Sequence, residues 1–250
     1  MRNLRLWFYA VALLIAASVV HAGAQQAVTF PSGDSTGQGL LYLPHSAGRH
    51  PGLIVIHEWW GLNDWIKHEA AGYAAQGYVT LAVDLYHGKV ADTPDLAHEL
   101  SRGLPQDQGV RDLTSALKWL AARKDVDPSR LGAVGWCMGG GFAIQLAVAA
   151  PNLKAVAVNY GALPTDKSAL AQIHAAVLGN FGGQDRGITP ESVHAFEAAM
   201  KSLGKQDNVR IYPDAGHAFE NPNNTAGYRP ADASDALMRI DRFFAQILQP

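Results

Sequence analysis

Short apolar runs alternate with amphipathic segments along most of the chain. Unbroken apolar runs such as residues 53–57 are typical of strands that are buried on both faces of a sheet. Apolar residues three or four positions apart, as at Val110, Leu113 and Leu117, are typical of helices that cover a sheet. The alternation therefore predicts an α/β protein with a mostly parallel central sheet and helices on both faces.

The same pattern locates the individual elements along the chain. The predicted strands cover residues 27–30, 40–43, 53–57, 79–83, 131–135, 155–159, 176–181 and 208–212. The predicted helices cover residues 65–76, 106–124, 138–149, 190–203 and 230–248. No repeat, charge run or linker divides the chain, so residues 25–250 are predicted to form a single domain.

The first 24 residues have the pattern of a cleavable secretory signal peptide. Arg2 and Arg5 precede an apolar run over residues 6–20, and small residues follow at Ala22 and Ala24. The alternative is a membrane anchor, but the apolar run is short for a membrane-spanning helix. We therefore expect an exported protein, periplasmic or secreted, that keeps no stable membrane anchor after cleavage.

Composition narrows the classes of function. The 250 residues carry a formal net charge of −2 at pH 7, so no basic surface predicts a nucleic-acid partner. Cys137 is the only cysteine, which excludes an intrachain disulfide and a multi-cysteine metal site. The sequence has no metal-ligand motif, phosphate-binding loop or dinucleotide motif, so we expect neither a metal nor an organic cofactor. The composition leaves the oligomeric state open.

One segment combines a buried strand, a turn and a helix around that cysteine. Gly135 and Gly139 lie two residues on either side of Cys137, which gives the pattern G-x-S-x-G with cysteine in place of serine. Glycines are needed there because the nucleophile of this motif sits in a strained backbone conformation. The following helix would direct its free N–H groups at the sulfur. We interpret Cys137 as a nucleophile; the alternative is a buried cysteine in a glycine-rich turn.

An acid and a histidine follow at the ends of later predicted strands. Asp185 lies just past residues 176–181, and His217 lies on the loop after residues 208–212. Asp214 competes as the acid, but it lies only three residues from His217 on the same loop. A triad acid normally approaches the imidazole from a neighbouring strand end, so we favour Asp185. The alternative for each residue is an ordinary position in a turn.

In this order and context, Cys137, Asp185 and His217 resemble the dienelactone hydrolase family, the carboxymethylenebutenolidases, within the α/β-hydrolase fold. The resemblance runs from about Ala27 to the C-terminus. The motifs that carry it are His57-Glu58-Trp59-Trp60-Gly61-Leu62-Asn63, Asp84-Leu85-Tyr86, Gly135-Trp136-Cys137-Met138-Gly139-Gly140, Phe181-Gly182-Gly183-Gln184-Asp185 and Gly216-His217-Ala218-Phe219. It implies an α/β-hydrolase fold and a hydrolase that needs no cofactor.

The resemblance also implies roles for residues that spacing alone does not single out. In the family, a glutamate that corresponds to Glu58 contacts the nucleophilic cysteine and helps to activate it. The alternative for Glu58 is a loop carboxylate that caps the next helix. The implied oxyanion hole consists of the backbone N–H groups of Met138 and Trp59.

The sequence departs from the family at two positions, where family members have arginines that bind the substrate carboxylate. The corresponding positions are Gly88 and Asn221 here. Arg186 is the candidate to supply a cation instead; the alternative is a solvated loop arginine. The aromatic candidates for substrate binding are Trp60, Tyr86 and Phe219. The alternative for the tryptophans after residues 53–57 is packing beneath their loop.

These observations predict a hydrolase that cleaves a small-molecule lactone or activated carboxylic ester through a thioacyl-enzyme on Cys137. His217 would act as acid and base, Asp185 would orient it, and Glu58 would tune the thiol. The alternatives are a broad carboxylesterase or thioesterase, and a non-catalytic binding protein with a hydrolase fold. The acid–histidine pair argues against a binding protein, because binding does not require three such groups in register.

Overall fold

An eight-stranded sheet forms the centre of the computed structural model, which describes residues 25–249. The strands are β1 (Gln26–Ser32), β2 (Ser35–Tyr42), β3 (His50–Ile56), β4 (Val79–Val83), β5 (Val126–Trp136), β6 (Ala155–Asn159), β7 (Ala176–Gly182) and β8 (Asp207–Tyr212). Their order in the sheet is β1-β2-β4-β3-β5-β6-β7-β8. The β1–β2 and β2–β4 pairs are antiparallel, and every other neighbouring pair is parallel. The predicted α/β fold with a mostly parallel sheet is therefore confirmed.

Helices cover both faces of this sheet. They are α1 (Asp64–Ala75), α2 (Pro94–Arg102), α3 (Gln106–Ala121), α4 (Met138–Ala149), α5 (Lys167–Ala171), α6 (Pro190–Ser202) and α7 (Pro230–Leu248). Residues of α1 and α7 pack against one face, and residues of α3, α4 and α6 pack against the other. Successive residues of β3 show this division, because Leu53 and Val55 face the first group and Ile54 and Ile56 face the second. No described helix is both long and apolar enough to cross a membrane.

Two helices, α2 and α5, were not predicted from the apolar pattern. α2 begins at Pro94 after Thr93, whose hydroxyl accepts a hydrogen bond from the Leu96 N–H. Its apolar side consists only of Leu96, Ala97 and Leu100, and nine residues are too few for this spacing to stand out in the sequence. α5 has only five residues, which is too short to show a helical period. The predicted signal peptide, residues 1–24, lies outside the described residues.

The parallel strands bring their carboxyl ends to one edge of the sheet, where the backbone is crowded. A Cβ on Gly139 would lie 2.4 Å from the Ile56 carbonyl oxygen, and one on Gly135 would lie 2.1 Å from the Gly139 carbonyl oxygen. Only glycine fits at these two positions, so β3, β5 and α4 approach each other more closely than side chains would allow. This approach holds the loop after β3 beside the first turn of α4.

Candidate active site

Cys137 occupies the turn between β5 and α4. Its φ of 54° lies in the left-handed region, which residues other than glycine rarely adopt. The Cys137 N–H donates to the Asn159 carbonyl oxygen at 2.9 Å, and the Asn159 side-chain amide donates to the Gly135 carbonyl oxygen at 3.2 Å. Buried Asn180 in turn donates to the Asn159 side chain at 2.9 Å. These hydrogen bonds hold the strained turn in place and leave the thiol partly exposed.

His217 and Asp185 extend from this thiol in a chain of hydrogen bonds. His217 comes from the loop after β8, and its Nε2 lies 3.1 Å from Cys137 Sγ. Asp185 comes from the loop after β7, and its Oδ2 lies 2.7 Å from His217 Nδ1. The other carboxylate oxygen of Asp185 accepts hydrogen bonds from the N–H groups of Gly187 and Ile188. The structure therefore brings together the three residues that the sequence singled out.

The electrostatics of this pair favour a proton on the imidazole and a charge on the carboxylate. Burial by itself lowers the pKa of His217, but the hydrogen bonds to Asp185 and Cys137 outweigh it and raise the pKa to about 10. Burial would raise the pKa of Asp185, but hydrogen bonds from His217 and from the Ile188 N–H lower it. The competing acid, Asp214, is exposed and makes no hydrogen bond to His217 in the described structure.

Glu58 lies in the loop after β3 and is buried. Asn221 donates to its Oε2 at 2.6 Å, and the Tyr160 hydroxyl donates to its Oε1 at 3.3 Å. Burial raises the pKa of Glu58 to about 7, although these hydrogen bonds and the charge on His217 act in the opposite direction. Among the described residues, no hydrogen bond joins Glu58 to Cys137. The direct contact that the family resemblance implied is therefore replaced by contacts to Asn221 and Tyr160.

Tyr160 is a residue of the site that the sequence reasoning missed. It follows β6 directly with a φ of 38°, and it lines the cavity around Cys137. Its ring centroid lies 5.3 Å from that of His217 in an edge-to-face arrangement, and its hydroxyl reaches Glu58. Its position just after a strand is the signal that could have found it, because Asp185 and Glu58 also follow strand ends.

The two backbone N–H groups of the expected oxyanion hole are free within residues 25–249. Met138 is the first residue of α4, so its N–H has no acceptor within the helix. The Trp59 N–H makes no hydrogen bond to another described residue either. The close approach of Gly139 to the Ile56 and His57 carbonyl oxygens brings the two loops together. Both donors are thus available to an oxygen that becomes negatively charged.

Cys137 opens into a cavity of about 330 Å³. Its walls come mainly from α4 and from the loops that follow β6 and β7. Tyr86 packs beneath Met138, with its hydroxyl 3.2 Å from the methionine sulfur, so it supports the cavity wall without lining it. No group of three or more His, Cys, Asp or Glu side chains in the described part of the chain is arranged to hold a metal ion.

Phe219 and Trp65 belong to the core. Phe219 is fully buried and packs against Tyr160 and Tyr212, with ring centroids 5.6 Å and 4.9 Å away. It therefore presents no surface to a substrate, contrary to the expectation, because its ring fills the space between these tyrosines. Trp65 packs edge to face on Trp136, with ring centroids 5.5 Å apart. This tryptophan therefore packs in the core and does not line the cavity around Cys137. The tryptophans that precede it, by contrast, are partly exposed and line a second cavity.

The positions that correspond to the family's arginines have other roles here. Gly88 has a φ of 90°, and its N–H donates to the Asp84 carboxylate at 2.6 Å. Asn221 is buried and donates to the carboxylate behind the site. Arg186 is exposed and does not line the cavity around the thiol. No lysine or arginine lines that cavity within the described residues, so none is placed there to bind a substrate carboxylate.

A second buried carboxyl connects the histidine loop to the strand that precedes the thiol. Trp136 Nε1 donates to Glu220 Oε2 at 2.8 Å. Burial raises the pKa of Glu220 well above its usual value and thereby favours the neutral form of this carboxyl. Because Trp136 adjoins Cys137 and Glu220 lies on the His217 loop, the hydrogen bond couples the positions of the two reacting groups.

Asp185→Asn is expected to lower the pKa of His217 from about 10 towards the ordinary histidine value, because the charged acceptor at Nδ1 is lost. The measurement is an NMR titration of the His217 ring. Asp214→Asn is the matched control, because it removes an equal charge from the His217 loop without touching the imidazole. Equal shifts in the two variants would contradict the pairing of His217 with Asp185.

Known proteins share both the sequence and the fold of this chain. Residues 38–248 match the model of the dienelactone hydrolase family. A Salmonella typhimurium protein named "Putative carboxymethylenebutenolidase" is 35% identical over 80% of this chain and 79% of its own. The crystal structure of a "Putative Dienelactone Hydrolase" from Klebsiella pneumoniae is 28% identical, with a TM-score of 0.81 over 89% of this chain and 98% of its own. The chain belongs to the dienelactone hydrolase family, whose members have the α/β-hydrolase fold.

Proposed function

We propose that the protein hydrolyses a small lactone or activated carboxylic ester through a thioacyl-enzyme on Cys137. Membership of the dienelactone hydrolase family supports a hydrolase that acts on esters. The observation that carries the finer proposal is the hydrogen-bonded chain from Cys137 through His217 to Asp185, with distances of 3.1 Å and 2.7 Å. A nucleophile, a base and a group that orients the base form the set of residues that many acyl-transfer enzymes use.

His217 starts the reaction by accepting the thiol proton at Nε2. Its raised pKa makes the imidazole a strong acceptor for that proton. The thiolate attacks the carbonyl carbon, and the N–H groups of Met138 and Trp59 donate to the oxyanion. When the ester C–O bond breaks, His217 gives its proton to the leaving oxygen, and the acyl group stays on the sulfur. Water, deprotonated by His217, then cleaves the thioester, which restores the thiol and releases the carboxylic acid.

Glu58 acts as a positioning residue behind this chain. Its carboxyl contacts Tyr160, which in turn packs on the His217 ring, so the charge on Glu58 acts on the imidazole without touching the sulfur. Because burial raises the pKa of Glu58 to about 7, that charge changes within the working range of most hydrolases.

Export of the enzyme is part of the proposal. The basic, apolar and small-residue pattern of residues 1–24 supports a cleaved signal peptide. We therefore propose that the mature enzyme acts in the periplasm or outside the cell, on a substrate that is present there.

Cys137→Ala is expected to reduce ester and lactone hydrolysis by at least about 10³-fold, because the nucleophile is lost while the turn keeps its shape. The measurement is burst and steady-state release of nitrophenol from an aryl ester, with thermal unfolding as the check on the fold. Wild-type rates in the alanine variant would contradict the thioacyl mechanism. Binding of the ester without a burst in the wild-type protein would favour a binding protein instead.

Glu58→Gln is expected to slow acylation and to remove an inflection near pH 7 from the pH profile of kcat/KM, because the titrating charge beside Tyr160 is lost. Glu69→Gln is the matched control. Burial also raises the pKa of Glu69 to about 7, but its carboxyl lies on α1 and not in the cavity around Cys137. An inflection that survives in Glu58→Gln would show that this carboxyl only supports the loop.

Neutral lactones and aryl esters are expected to be hydrolysed about tenfold or more faster, in kcat/KM, than dienelactones that carry a carboxylate. The reason is that, within the described residues, no lysine or arginine lines the cavity around Cys137 to pair with that carboxylate. The measurement compares a dienelactone with its methyl ester on the wild-type protein and on Arg186→Ala. A preference for the free acid that disappears in Arg186→Ala would reverse the prediction and make Arg186 the carboxylate anchor.

A further inference from the structure

A second cavity, of about 520 Å³, adjoins the candidate active site. Ala218, which follows His217, lines it, as does Trp59, which follows Glu58. The cavity therefore begins one residue away from two parts of the site. Its volume lies within the range of small-molecule sites, roughly 300–1,000 Å³. The loops that follow β3 and β8 thus carry both residues of the site and part of the lining of this cavity.

Aromatic rings form one part of its lining. Trp59 and Trp60 are both partly exposed, and their ring centroids lie 5.0 Å apart at an interplanar angle of 61°. The partly exposed rings offer flat, weakly polar surface to a ligand, and such surface binds C–H groups without requiring a charge. An aromatic surface of this kind suits the apolar face of a ring-shaped ligand.

Hydrogen-bonding side chains, among them the carboxyl group of Asp92, form the other part. The polar side chains of the lining are those of Asn63, Asp92, Asn221, Asn223, Asn224 and Thr225. The side-chain amides of Asn221 and Asn224 already donate hydrogen bonds within the protein. Asn221 donates to Glu58, and Asn224 donates to backbone carbonyl oxygens. The side chains of Asn223, Thr225 and Asp92 make no hydrogen bond to any other described residue and are free to bind a ligand.

The lining selects against anionic and fully apolar ligands. None of its residues is a lysine or an arginine, so it has no cation for a carboxylate or a phosphate. A fully apolar ligand would displace water from the free amide, hydroxyl and carboxylate groups without replacing their hydrogen bonds. A neutral ring with several hydroxyl groups meets both demands, because its C–H face covers the tryptophans and its hydroxyls pair with the polar side chains.

We propose that this cavity binds the polyhydroxylated part of a sugar-derived substrate, so that the preferred substrate is a sugar lactone or an acylated sugar. The proposal rests on the hydrolysis proposed above and names its substrate class. It assigns Trp60 and Asn223 to substrate binding. The reacting carbonyl would lie over Cys137, and the hydroxyl-bearing ring carbons would extend into the second cavity.

The experiment compares two lactones with the same ring size, glucono-δ-lactone and δ-valerolactone. Each kcat/KM is divided by the rate constant for hydrolysis of that lactone in buffer, which removes the difference in intrinsic reactivity. The hydroxylated lactone is expected to be favoured by about tenfold or more, since a site built to bind hydroxyls discriminates against analogues without them. Equal normalised values would overturn the proposal.

Substitutions of residues that line the second cavity test whether the preference for glucono-δ-lactone arises there. Trp60→Leu and Asn223→Ala are expected to reduce the preference for glucono-δ-lactone by at least about fivefold each, because each removes one of the proposed contacts. Asn152→Ala is the matched control, since Asn152 is an exposed asparagine that does not line the cavity. A preference that survives both lining variants would overturn the proposal.

A binding measurement separates this proposal from the hydrolytic one. Cys137→Ala, titrated with D-glucose, is expected to show saturable quenching of tryptophan fluorescence that Trp60→Leu weakens. Saturation by glucose, combined with a wild-type protein that hydrolyses no ester, would support the sugar site and contradict the hydrolytic function. Saturation by choline instead of glucose would overturn the proposal, because two tryptophans and Asp92 would then be binding a quaternary ammonium ion. Quenching by neither ligand would also overturn it.

Discussion

The close backbone contact between β5, α4 and the end of β3 is the constraint on which the candidate site depends. No Cβ fits at Gly135 or Gly139, so the strand and the helix meet without intervening side chains. The residue between them, Cys137, is forced to a φ of 54° and carries its thiol out over the edge of the sheet. The same contact holds the N-terminus of α4 beneath the sulfur and the loop after β3 next to it. The positions of the Cys137 thiol and of the Met138 and Trp59 N–H groups thus follow from one packing requirement.

Two carboxyl groups near the thiol have opposite electrostatic character because their partners differ. Asp185 accepts hydrogen bonds from an imidazole and from backbone N–H groups, which lower its pKa despite its burial. Glu58 is also buried, but its hydrogen-bond donors are an amide and a phenol, so burial dominates and its pKa rises to about 7. A permanently charged carboxylate beside the base and a titratable one behind it are suited to different tasks.

Gly88 and Asn221 stand where family members have arginines, and this changes both the charge and the hydrogen bonds around the site. Asn221 takes the hydrogen-bonding position on Glu58 and lines the second cavity at the same time. The loop that carries His217 is connected to the core by Glu220, whose carboxyl accepts the Trp136 indole hydrogen bond. The family's local motifs are therefore kept around the thiol, while the second cavity is lined by tryptophans, asparagines and Asp92 and by no lysine or arginine.

The sequence by itself determined the α/β class, the strand order along the chain and the three residues of the hydrogen-bonded chain. Local rules suffice for these, because apolar runs, glycine spacing and strand ends are properties of neighbouring residues. Tertiary structure decided the rest. Tyr160 entered the site, Phe219 was buried, and Glu58 bound Asn221 instead of Cys137, because each depends on contacts between segments far apart in the chain. Helix α2 was likewise missed because its nine residues are too few to show a clear helical period, although Leu100 packs on the core.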